Sequence, residues 1–137
     1  YWSHWRLDRL REMQDVFEVQ NHSWNLHEYG ERRGCLRRRG EDETRYETLL
    51  REDTEQTQTL ITDAGLPAPT CYTYPFGACS KESETLLKSM GFRCTLGCEE
   101  RVNTVTRNPD CLFELGRFNR PAGQSTESFL HRALGED

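Results

Sequence analysis

Three short β-rich runs, VFEVQ (16–20), CYTYP (71–75) and FRCTL (92–96), alternate along the chain with stretches of helical period. This alternation constrains the fold more than any other feature. Strands separated by helices pair in parallel through right-handed crossovers rather than as hairpins. Trp5, Leu7, Leu10 and Met13 recur at helical spacing and predict a helix over 3–14. Tyr46, Leu49, Leu50, Leu60, Ile61 and Ala64 form one stripe over 43–64, filled less well at Asp53 and Thr57, and Gly65-Leu66-Pro67 ends that helix. Ser80 is the expected N-cap of a helix over 81–90, which Gly91 stops. LFELGRF (112–118) reads as a last strand, and Ser125 caps a helix over 126–134. Asn21 to Asp42 reads as a long loop broken by Gly30, Gly34 and Gly40, with an insertion at about 28–42.

Parallel sheets are buried on both faces. Only 34% of the 137 residues are hydrophobic and 30% are charged, a thin supply for such a sheet. The expected architecture is therefore α/β, part of a barrel of parallel β/α units. The chain also opens at Tyr1 inside a helical pattern without an initiator Met, so it is read as a segment of a longer protein.

The net charge of -5 argues against binding nucleic acid through phosphate neutralisation. Arg32, Arg33, Arg37, Arg38 and Arg39 cluster between glycines and acidic residues, and read as a solvated loop. No apolar run is long enough for a transmembrane segment, and no secretory signal is visible. Six cysteines lack any C-x-x-C pair; Cys94 and Cys98 stand in C-x3-C spacing without a second pair. Free thiols are expected. Pairing of Cys71 with Cys79, or Cys94 with Cys98, would instead make the chain a redox-linked module.

Chemistry in β/α barrels gathers at the C-terminal ends of strands. His22 and His27 follow the first run, and Tyr74-Pro75-Phe76-Gly77 closes and follows the second. Two imidazoles on one loop can close on one ion, with a third ligand supplied from elsewhere. Pro followed by aromatic-Gly makes a rigid turn able to present the Phe76 N–H to an oxyanion. Glu99 and Glu100 also follow a strand end but read as solvated, as do Arg117 and Arg120. Asn21-His22-Ser23 matches a glycosylation sequon, which a ligand role for His22 makes accidental. His4 and His131 read as surface residues.

REMQDVFEVQNHSWNLH, followed by TYPFGACSKESETLLKSMGF, resembles the polysaccharide deacetylase family of NodB homology, and within it the branch acting on poly-N-acetylglucosamine. The resemblance spans residues 5 to about 129, so that 1–137 would be the C-terminal part of such a domain. It implies a deformed (β/α)7 barrel and hydrolysis of N-acetyl groups on an amino-sugar polysaccharide. It implies a divalent metal, zinc above all, on His22 and His27, and the Phe76 N–H as oxyanion donor. Tyr74, Pro75, Phe76 and Gly77 would line the sugar site. It also implies an extracellular or cell-surface location.

The chain departs from that family in three places. The Asp-Asp motif that supplies the base and third ligand would lie upstream of Tyr1. Thr73 stands where the common motif has an Arg, a charge that Arg117 or Arg120 could replace. Phe129-Leu130-His131 is the nearest match to the acid motif but falls in a predicted helix. A non-catalytic carbohydrate-binding relative is the alternative reading, and the isolated segment is expected to be inactive.

Overall fold

The computed structural model describes residues 7–135. Its elements are α1 (Leu7–Glu12), α2 (Glu43–Asp63), β1 (Cys71–Thr73), α3 (Lys81–Ser89), β2 (Cys94–Leu96) and α4 (Thr126–Leu134). Short 3-10 turns lie at Pro75–Gly77 and Pro109–Leu112. Of the helix expected over 3–14, residues 3–6 lie outside the described part. His4 does too.

β1 and β2 pair in parallel, with Cys71 opposite Cys94 and Thr73 opposite Leu96. Helix α3 makes the crossover between them. Its N-terminus is fixed by a capping box in which Ser80 and Ser83 satisfy each other's backbone groups.

Two expected strands shrink to single bridges. The 16–20 run is not a strand: Val16 and Phe17 are exposed, and only Asn21 bridges β1, at Tyr72. Asn21 N–H donates to Cys71 O, and Asn21 O accepts from Thr73 N–H. Gln20 uses its side-chain oxygen to take the N–H groups of Thr70 and Cys71, so a side chain replaces the strand ladder there. The 112–118 run is broken by a 3-10 turn and by Glu114 at φ 56°, leaving one bridge from Leu115 to Leu96. Four segments thus lie side by side in parallel, but only two are strands. The structure is an α/β arrangement around a short parallel sheet.

The core joins Cys35, Tyr46, Leu50, Tyr72, Tyr74, Leu86, Leu87 and Phe92. Cys35 comes from the long loop, which is therefore tied down. Tyr46 donates its hydroxyl to Cys35 O at 2.7 Å, and Cys35 N–H donates to Ala78 O at 2.9 Å. The arginine cluster is not simply solvated either. Arg32 makes a two-pronged bond with Glu41, Arg37 reaches Glu43 and Glu82, and Arg38 pairs with Glu31.

The buried face of α2 also differs from the apolar stripe in its sequence. Asp53, Thr54 and Thr57 are buried on it, whereas Leu60 is exposed. What faces them is the loop that carries the histidines: the Asp53 carboxylate accepts from its backbone, and Thr54 accepts from Asn21 through its own carbonyl while its hydroxyl turns back to Leu50 O. Among the described residues no helix is long and apolar enough to cross a membrane.

Candidate functional site

The histidine loop starts at Asn21, which is fully buried. Its side-chain amide donates to Thr54 O at 3.2 Å and to Gln58 Oε1 at 3.3 Å, and its oxygen accepts from Ser23 N–H at 2.9 Å. With both ends of the side chain engaged, Asn21 offers no acceptor for a glycan in the folded chain. Ser23 turns in the left-handed region, at φ 69°, and its hydroxyl accepts from Leu26 N–H. Asp53 closes the loop by accepting from Trp24 N–H at 3.0 Å and from Asn25 N–H at 2.7 Å. Burial raises the Asp53 pKa, while these two bonds pull it down.

These ties bring His22 and His27 together, with ring centroids 4.9 Å apart. Both are exposed to solvent. His22 Nδ1 lies 2.8 Å from Thr73 O. A carbonyl only accepts, so Nδ1 carries the proton and Nε2 of the neutral ring keeps its lone pair. That arrangement fixes both tautomer and ring direction, as the outer partner of a metal-binding histidine does. His27 stacks on Phe76 at 4.3 Å with 10° between the planes. The two imidazoles are tilted by 46° to each other, and their chemistry suits two ligands of a divalent ion. No cluster of three or more His, Cys, Asp or Glu suited to a metal occurs among the described residues.

Phe76 is held at φ 57°, a costly conformation for a residue with a side chain. Pro75 and the bond from Gly77 N–H to Tyr74 O fix the turn. Gly34, at φ +54°, lies against it: a Cβ there would come 2.3 Å from Pro75 O. Among the described residues Phe76 N–H has no acceptor, so the turn presents a free donor.

Gln20, Asn21, His22, His27, Thr73, Tyr74, Phe76, Cys98 and Arg117 line one cleft of about 290 Å³. Tyr74, expected to wall a sugar, has its side chain fully buried, edge-on to Tyr72 at 5.5 Å. Its ring belongs to the core, because strand alternation turns Tyr72 and Tyr74 to the same side. Pro75 is buried as well, and Gly77 packs against Cys98, which a Cβ would meet at 2.7 Å.

Arg117 lies in the cleft wall, anchored by Nε to Gly97 O at 2.7 Å and by its other end to Cys98 Sγ at 3.2 Å. Arg120 instead bonds Gln124 O and Thr126 Oγ1. Glu99 pairs with Arg101, and Glu100 with Arg132, so neither is spare. His131 lies within α4, as the sequence predicted for the Phe129-Leu130-His131 match. Cys98 was missed as a cleft residue, although it follows the end of β2 and the strand-end rule points to it.

The family model for polysaccharide deacetylases matches residues 3–95. The chain belongs to the polysaccharide deacetylase family. Among solved structures it is similar to the BpsB deacetylase domain from Bordetella bronchiseptica, with TM-score 0.67 and 22% identity over 82% of this chain and 48% of that one. It is similar too to a de-N-acetylase from Aggregatibacter actinomycetemcomitans, with TM-score 0.72 and 17% identity over 93% of this chain and 53% of that one. The chain thus spans about half the length of each. The comparison with curated proteins gives no match.

Proposed function

We propose that the chain supplies the histidine and oxyanion-donor half of a metal-dependent deacetylase site acting on N-acetylated amino-sugar polysaccharide. The observation that carries this reading is the bond from His22 Nδ1 to Thr73 O, which leaves the Nε2 lone pair for a ligand role on a ring 4.9 Å from that of His27. His22 and His27 would hold a divalent ion, zinc by preference for imidazole, within a deformed (β/α)7 barrel. Such an ion supplies Lewis acidity toward an amide carbonyl and a more acidic water. The Phe76 N–H, held in a fixed turn, would donate a hydrogen bond to the carbonyl oxygen as negative charge develops on it. The scissile bond is the carbon–nitrogen bond of the acetamide. A third ligand and the base come from a segment outside these 137 residues, and the polymeric substrate places the protein outside the cell or at its surface.

Zinc titration of the chain and of His22→Ala and His27→Ala tests the site. Binding that each substitution abolishes supports it; unchanged binding overturns it. Acetate release from N-acetylglucosamine oligomers by the 137 residues alone would overturn the requirement for an outside base. A non-catalytic sugar-binding relative is the second reading, favoured by Thr73 where the common motif has an Arg and by His131 lying within α4. Sugar binding that survives His22→Ala, with no zinc bound by the native chain, would select it.

A further inference from the structure

A second cleft, of about 370 Å³, adjoins the histidine cleft and is lined by Glu28, Tyr29, Gly30, Arg32, Arg33 and Phe76. Phe76 borders both clefts. Tyr29 lies beside it, ring centroids 5.3 Å apart and planes tilted by 47°. The rings therefore run in sequence from His22 through His27 and Phe76 to Tyr29, each in contact with the next. The Tyr29 residue is 98% exposed, so the fold makes almost no use of its ring for packing.

The rim chemistry narrows the occupant. Arg32 is committed to Glu41 and Leu36 O. Glu28 and Arg33 make no ion pair among the described residues, so the cleft offers one free group of each sign. A balanced rim suits a neutral ligand rich in hydroxyls and amides better than an anion. Gly30 leaves open space where a side chain would stand. Two tilted aromatic faces with polar groups at the edge present an apolar surface to C–H groups and hydrogen bonds around it. The chain's net charge of -5 opposes a stacked nucleic acid.

We infer that Tyr29 and Phe76 form a pyranose subsite that holds the sugar unit next to the one being deacetylated. This rests on the deacetylase reading of the histidine cleft, and it makes recognition depend on polymer length. Tyr29 acts here as a binding residue with no part in the chemistry.

Calorimetric titration of the chain with an N-acetylglucosamine pentamer tests the subsite, using native protein, Tyr29→Phe and Tyr29→Ala. Tyr29→Phe is expected to bind as the native chain does, because the ring is retained. Tyr29→Ala is expected to bind about tenfold more weakly, the loss of one stacking contact. Equal affinity in Tyr29→Ala, or no pentamer binding by the native chain, overturns the subsite. Zinc titration of the same three proteins separates the two proposals. Zinc binding that is unaffected by Tyr29→Ala but lost in His22→Ala leaves the metal reading standing whatever the sugar result.

Discussion

Asp53 accepts the backbone N–H of Asn25 at 2.7 Å, tying the middle of the histidine loop to the long helix α2. The same carboxylate holds Trp24 N–H. The loop therefore takes its shape from a helix that starts sixteen residues after His27. Asp53→Ala leaves two part-buried donors without a partner and is expected to cost about 1–3 kcal/mol. It should also weaken zinc binding, since His22 and His27 flank the released segment. Urea unfolding and zinc titration of this one variant check both effects.

Gly34 stands against the turn that presents Phe76. Gly34→Ala meets Pro75 O and is also disfavoured by its backbone at φ +54°. We expect a loss of about 2 kcal/mol or more, with displacement of the Pro75–Gly77 turn. Gly40 is the control. Its φ is +77°, but nothing lies within 4 Å of an added Cβ. Gly40→Ala should cost only the backbone strain, about 1–2 kcal/mol. Equal losses in thermal unfolding of the two variants would remove the packing argument.

The Arg32–Glu41 pair makes the loop sensitive to acid. Its side chains are 8% and 12% exposed. The bonds from Arg32 hold the Glu41 carboxyl below its usual pKa, against the opposing effect of burial. Stability from a lowered carboxyl pKa is present above the unfolded value, about 4.3 for Glu, and is lost as pH falls through the folded value. Glu41→Gln should therefore lower stability at neutral pH and flatten the acid side of the stability curve below about pH 5. Urea midpoints at several pH values measure the slope; an unchanged slope would contradict the role given to this pair.

All six cysteines are free. A thiol reagent in denaturant without reductant should therefore titrate six groups. In the native protein Cys98, exposed in the histidine cleft, should react first. Cys35 should react last: it is buried in the core, and burial pushes its pKa up to about 12, so little reactive thiolate forms. Zinc added before the reagent should slow the reaction of Cys98 if the ion sits in that cleft. Fewer than six thiols in denaturant would revive the redox-linked reading.

The helices were legible because their signals are local. Asp42 and Ser80 cap α2 and α3 where the sequence placed their starts, and Gly65 follows the end of α2 as expected. The strands were legible only in part. Cys71–Thr73 and Cys94–Leu96 formed inside the expected runs, since each is flanked by neighbours. Residues 16–20 and 112–118 carry the same β-rich pattern but did not become strands, because a strand needs a partner over its length and local pattern cannot supply one.

The candidate site divides in the same way. The residue types and spacing of His22, His27 and the Tyr74–Gly77 turn, with their resemblance to a deacetylase, were in the sequence. Which ring points where was not. Tyr74 and Phe76 are two residues apart, yet Tyr74 enters the core while Phe76 turns out at φ 57° to stack on His27. The buried carboxylate of Asp53, the tautomer set by Thr73 O, the approach of Gly34 to Pro75 and the exposure of Tyr29 all depend on contacts between distant parts of the chain. By itself the sequence determined the helices, the order of the units and the chemistry available. Tertiary structure alone decided which of those groups meet, because hydrogen bonds across 28 to 51 positions are fixed only once helix and sheet have packed.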